Sequence, residues 1–220
     1  MFEPIPIKAF EERIEGSVAD SFWDAATQVV SLRQLVSVDA MMPMRRDYLA
    51  NLMAHVPLAR DSAERVYAGC SVSTLLVDPH AISLGQTFVE RSKYQQFLER
   101  FDSMFSSFCV SRGMAKLGAC IVLGRTVEGA QGIAHYVPPI IERHGSAWVL
   151  LDGVHRMYLA RQVGTTLEAV VVSGVKTPFP TDLHGWESVS VVSEKPARSE
   201  RYRNLRPELF RDLKHVGLDG

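Results

Sequence analysis

The chain has 220 residues, 46% of them hydrophobic and 22% charged, and 24 basic side chains nearly balance 25 acidic ones for a formal net charge of −1. Such a composition supplies a sizeable apolar core and argues against a polybasic protein that coats nucleic acid. No apolar run approaches the ~18 residues that span a bilayer, and the N-terminus M-F-E-P-I-P-I-K-A-F-E-E-R carries acids and prolines instead of a secretory pattern, so the expected compartment is the cytoplasm and no membrane partner is expected.

In chain order, Ile5 and Ile7 are placed to pack on the body of the protein. Ser17 to about Val36 reads as a helix with Phe22, Trp23, Ala26, Val29, Val30 and Leu32 on its apolar face, capped by Ser17 or Asp20. A break is expected over Ser37–Pro43. A second helix follows from Pro43 through His55, with Met44, Tyr48, Leu49, Leu52 and Met53 inward and Pro57 ending it. Asp61 to Ala68 reads as a short helix stopped by Gly69. Residues 1–70 are therefore expected to form a helical N-terminal region.

The pattern changes at Cys70. Ser71–Val77 predicts a strand closed by Asp78-Pro79. Phe88 to Phe108 carries Val89, Tyr94, Phe97, Leu98, Phe101, Met104 and Phe105 at helical spacing, which fits a core-facing helix better than a base-stacking platform. Strands are predicted at Ala119–Leu123, Val137–Glu142 and Trp148–Leu151, with Arg125–Gly132 a loop and His144-Gly145-Ser146 a turn. A helix to Gly164 and a strand over Glu168–Ser173 follow. Gly174–Trp186 is a two-proline loop of a length often used in binding, which draws attention to Lys176 and His184. Glu187–Val192 alternates as a strand. The tail 195–220 holds Arg198, Arg201, Arg203 and Arg206, interspersed with Glu200 and Glu208, before a short helix over Pro207–Lys214, and reads as a solvated or partner-binding segment. Cys70, Cys109 and Cys120 are odd in number, lack metal-ligand spacing and read as buried reduced thiols.

The chemistry concentrates in W-V-L-L-D-G-V-H-R-M-Y-L-A-R-Q-V-G, Trp148–Gly164. A strand that turns through glycine into a helix aims backbone N–H groups out of the helix start, a ready anion site, and His155 and Arg156 lie in its first turn. A guanidinium there suits a phosphate, or alternatively pairs with a nearby carboxylate. Asp152 either stabilises the turn through its own backbone or, beside bound phosphates, holds Mg²⁺ or orients an acceptor hydroxyl.

D-G-V-H-R, followed by a helix, a glycine and E-A-V-V-V-S, and preceded by Y-V-P-P-I-I-E-R-H-G-S-A-W-V-L-L, resembles the signature of the ParB/sulfiredoxin superfamily over Tyr136–Ser173, with a weaker extension back to about Val72. The resemblance implies an α+β protein: a ParB/sulfiredoxin-like domain at 71–194, with a small mixed sheet and flanking helices, preceded by the helical N-terminal part. It implies a nucleotide-phosphate-binding enzyme, most concretely an ATP- or ADP-dependent kinase that phosphorylates a small hydroxyl-bearing molecule. In that reading Gly153, Val154, His155 and Arg156 hold phosphates, His155 also serves as a catalytic proton-transfer group, and Asp152 assists Mg²⁺ or the acceptor. Glu90, at the start of the helix expected from Phe88, serves as the carboxylate base, with Glu128 and Glu142 as rivals. Val154 stands where sulfiredoxins carry their reactive cysteine, which removes sulfinic-acid chemistry. His155 departs from the G-x-R-R form of partition proteins. The alternative is a ParB-like DNA-associated module in partition, regulation or DNA modification.

Overall fold

The computed structural model describes residues 2–16, 18, 23–59, 63–95, 99 and 117–219. The protein is α+β, with mixed sheets and few helices, and its contacts divide it into two compact units. The first gathers Met1–Cys70, Gly118–Val137 and Arg211–Gly220, and the second Ser71–Leu117 and Pro138–Phe210.

The first unit is built on a five-stranded sheet in the order β1-β2-β8-β7-β3, where β1 is Ile5–Pro6, β2 Gln28–Val29, β3 Leu35–Pro43, β7 Cys120–Thr126 and β8 Gln131–Tyr136. Two helices accompany it, α1 over Ile7–Ile14 and α2 over Arg46–Ala54. The second of these falls inside the span expected for Pro43–His55. The helix expected from Ser17 to Val36 is not found: among the described residues that span holds β2, a 3-10 turn at Leu32–Gln34 and the start of β3. Val29 and Val30 of that expected apolar face are buried, but through pairing with β8. The break expected over Ser37–Pro43 is the body of β3, whose two register irregularities explain why it shows no clean alternation. In place of the short helix over Asp61–Ala68, residues 63–70 form a turn held by the Pro57–Arg65 bridge, with residues 60–62 outside the described set. The N-terminal 70 residues therefore mix helices and strands.

The second unit carries the sheet β4-β11-β9-β10-β5, with β4 at Ser71–Val77, β5 at Ser83–Leu84, β9 at Ile140–His144, β10 at Ala147–Asp152 and β11 at Leu167–Ser173. A helix, α3, spans Val154–Gln162 and buries Val154, Met157 and Ala160 against Leu84, Ile141, Leu150, Ala169 and Val171 of the sheet. A separate pair of strands, β6 (Phe88–Glu90) and β12 (Ser190–Val192), runs in parallel. Phe88–Glu90 is thus strand where the sequence predicts the start of a helix. Helix begins at residue 91 and is described to residue 95 and at residue 99; the remainder of the expected span, with Phe97, Phe101 and Phe105, lies outside the described residues. β12 replaces the longer strand expected over Glu187–Val192, whose first residues form a 3-10 turn at Trp186–Ser188. The helix expected over Pro207–Lys214 is two 3-10 turns, Pro207–Leu209 and Leu213–Val216. The tail ahead of them is tied to its unit: Thr87 N donates to Arg201 O at 3.1 Å and Arg206 Nη2 donates to Phe179 O.

In the first unit His135, on β8, stacks against Phe10 and Tyr48 with ring centroids 5.3 and 5.9 Å away, and its Nε2 is 3.0 Å from the Tyr48 hydroxyl. Burial pushes its pKa down to about 4, opposed by the Gly217 backbone. An unfolded histidine titrates near 6.5. Between these values the unfolded chain binds a proton that the folded chain refuses, so His135 favours folding fully above pH 6.5 and progressively less as pH falls to 4. The expected loss is about 3 kcal/mol across that window. Denaturant unfolding of wild type and His135→Gln at pH 7 and pH 4.5 checks it: the fall in stability between the two pH values should be smaller in the variant by roughly 2–3 kcal/mol.

Candidate functional site

β10 brings apolar side chains to the core up to Leu150, and its pairing with β9 then slips. Leu150 faces Ile141 but Asp152 faces Ile140, so Leu151 is an extra residue. Such a bulge bends the strand end and re-aims the side chains beyond it. The chain then turns through Gly153, whose φ of +91° belongs to the left-handed region. A Cβ at that position would lie 2.8 Å from Pro139 Cβ, 2.9 Å from Pro139 Cα and 3.0 Å from Arg156 Nη2. Glycine is therefore required twice, by conformation and by space. Pro139 is itself held by its carbonyl, which accepts from Val170 N at 2.8 Å.

Helix α3 starts at Val154. Gly153 has no side chain to cap it, and the first intrahelical bond runs from Met157 N to Gly153 O at 2.9 Å, so the N–H groups of the first turn point out of the helix start towards the junction. Arg156 reaches back over the turn, and its Nη2 donates to Asp152 Oδ2 at 3.1 Å. The two side chains are 16% and 21% exposed, so the pair is neither buried nor freely solvated.

Glu90, 65 residues away in sequence, joins this junction. Its backbone N–H donates to His155 Nε2 at 3.1 Å. An accepting Nε2 carries no hydrogen, so the neutral ring holds its proton on Nδ1. His155 is thereby fixed in one tautomer and presents Nδ1–H as a donor. Glu90 arrives because Phe88 and Val89 are buried and β6 lies against α3. Beyond β6 the chain turns helical, which places two residues the sequence reading did not single out. Ser92 Oγ donates to Glu90 Oε1 at 2.9 Å, and Lys93 Nζ lies 3.7 Å from Oε2. Oε2 is buried and makes no hydrogen bond among the described residues. The i, i+3 spacing of Glu90 and Lys93 was the available signal, and it is a common one on any helix start.

The other candidates lie elsewhere. Glu128 is exposed on the turn between β7 and β8, in the first unit. Glu142 is fully buried and engaged with His144 Nε2 at 2.7 Å, and strand alternation puts it on the sheet face opposite Ile141, away from α3. Lys176 is exposed. The loop that contains His184 is pinned where His184 exchanges both backbone hydrogen bonds with Leu84, at 2.8 and 2.9 Å, and its Nδ1 lies 3.1 Å from Gly185 O. Among the described residues no group of three or more His, Cys, Asp or Glu side chains is placed to hold a metal ion. Of the thiols, Cys70 and Cys120 form no disulfide among the described residues, burial pushes the Cys120 pKa up to about 12, and Cys109 lies outside the described residues.

Comparison of the chain with protein-family models, with curated proteins and with solved structures finds no match.

The double demand on Gly153 is measurable. Gly145 also has positive φ, +60°, but open space where a Cβ would go. Gly145→Ala should cost only backbone strain, about 1 kcal/mol. Gly153→Ala adds the collision with Pro139 and should cost roughly 2–4 kcal/mol, read as the difference in denaturant midpoints at unchanged m-value.

Proposed function

We propose that the protein is a nucleotide-dependent phosphotransferase of ParB/sulfiredoxin type, which moves a phosphoryl group from ATP or ADP to a small hydroxyl-bearing acceptor. The observation that carries the reading is the contact from Glu90 N to His155 Nε2, which sets a carboxylate, one oxygen of which has no hydrogen bond among the described residues, beside a glycine-turned helix start bearing Arg156. A phosphate group suits that start because backbone N–H groups, the helix dipole and a guanidinium all act on one anion.

In the proposed reaction the N–H groups of the Gly153–Val154 segment, His155 Nδ1–H and Arg156 bind the phosphates. The acceptor hydroxyl oxygen bonds to the transferred phosphorus as the bond to the nucleotide leaving oxygen breaks. The hydroxyl proton passes to Glu90 Oε2, and the products are a phosphomonoester and a nucleotide shorter by one phosphate. Glu90 suits the role of base because Ser92 fixes its other oxygen. Asp152 would hold Mg²⁺, an ion that needs one or two carboxylates and takes its other ligands from phosphate and water. When bound, that ion neutralises phosphate charge. Arg156 would then exchange its Asp152 partner for phosphate oxygen.

The test is thermal-shift screening with ATP, ADP, CTP and GTP plus Mg²⁺, because a ligand of the folded state raises apparent stability. One nucleotide should stabilise wild type, and Arg156→Ala should abolish that shift. Glu90→Gln should keep it while turnover on a responsive acceptor falls about 10²-fold or more. The absence of any nucleotide shift, together with DNA retention that weakens steeply with salt, would replace this proposal with the DNA-associated one.

A further inference from the structure

Among the described residues, the two five-stranded sheets protect three of their four outer strands. β1 is only two residues long, and so is β5, whose outer side is bonded to His184. β3 is nine residues long, but it is irregular at two points, carries Asp39 and ends on Pro43. Short length, bulges, charge and proline are the usual means of blocking edge-to-edge pairing. β4 has none of them. It is the terminal strand of its sheet and runs seven residues, Ser71-Val-Ser-Thr-Leu-Leu-Val77, in unbroken register with β11. The stretch holds no charge, proline or glycine. Leu75 is 44% and Leu76 54% exposed, and adjacent residues point to opposite faces of a sheet, so the strand is open on both faces.

We infer that β4 is a self-association edge at which two copies of the chain pair their β4 strands antiparallel about Thr74, joining two five-stranded sheets into one. An open edge row of N–H and C=O groups accepts an extended strand above any other shape, and the sequence of β4 suits its own copy. Antiparallel pairing centred on Thr74 sets Val72 opposite Leu76 of the second copy and Thr74 opposite Thr74, so that apolar meets apolar and two hydroxyls meet across the axis. Ser73 faces Leu75 and Ser71 faces Val77. No like charges oppose each other within the strand. The nearest charge, Asp78, is turned to its own His80 N–H at 2.9 Å. The interface is isologous, as a two-fold dimer requires.

The register makes the inference testable on the full chain. Across the axis the two Thr74 Cα atoms come within about 4.5–5.5 Å, inside disulfide range, whereas Ser71 and its copy stand about 20 Å apart. In a Cys70→Ser background, Thr74→Cys under mild copper-phenanthroline oxidation should give a cross-linked dimer as the main product, and Ser71→Cys little. Sedimentation of the unmodified protein should show a concentration-dependent dimer, and Leu76→Lys, which sets an ammonium against Val72 of the second copy, should weaken it at least tenfold with circular dichroism unchanged. A protein that stays monomeric into the millimolar range, or one that cross-links equally at both positions, overturns the inference.

Discussion

Between β10 and α3 the chain reverses direction through one residue, Gly153 at φ +91°, and the layout of the candidate site follows from that backbone conformation. The turn is tight enough that Pro139 and the Arg156 guanidinium occupy the space a side chain would take. Because α3 starts at once, Val154 and Met157 enter the same core as Leu150. Arg156 emerges on the partly exposed side, where it meets Asp152 at 3.1 Å. The bulge at Leu151 and the glycine act together: the first ends the register of the sheet and the second aims the helix.

Stability alone does not account for the charges that gather there. A partly exposed ion pair such as Asp152–Arg156 contributes about 0–1 kcal/mol, and a carboxylate oxygen kept from both water and hydrogen-bond donors is a cost. Glu142, in the same unit, shows how this fold treats a structural carboxylate: fully buried, it has His144 at 2.7 Å. Glu90 has one oxygen served by Ser92 and the other, among the described residues, without a hydrogen bond, with Lys93 at 3.7 Å. Local violations of polar satisfaction concentrate where a protein acts on something else, which separates Glu90 from Glu142 on physical grounds.

What the sequence disclosed depended on how local each signal is. Trp148–Gly164 was legible because strand, glycine turn and helix are each encoded within a few residues. Ser71–Val77 and Glu168–Ser173 were legible as uninterrupted strands. The span from Ser17 to Val36 misled because Val29 and Val30 are buried by a strand far along the chain, and an apolar set with no such partner in view fits a helical face equally well. Phe88 and Val89 misled for a related reason. They adjoin residues that do turn helical at 91, so one periodic pattern covered two elements whose boundary is set by the pairing of β6 with β12.

The same distinction divides the site itself. Asp152, Gly153, His155 and Arg156 are placed by a contiguous stretch, so their arrangement needs only β10 and α3. Glu90 is imported through β6, which is held by β12 on one side and by the apolar core under α3 on the other. Its backbone bond to His155 links these two halves, beside the packing of Val89 with Val154 and Met157, and it fixes the imidazole tautomer. The half that would grip an anion is therefore encoded locally, and the half that would take a proton is supplied by tertiary structure. Loosening β6 would free His155 to change tautomer while leaving the turn at Gly153 intact. Binding and chemistry at this junction are thus separable in the fold, with His155 as a polar contact that joins one to the other.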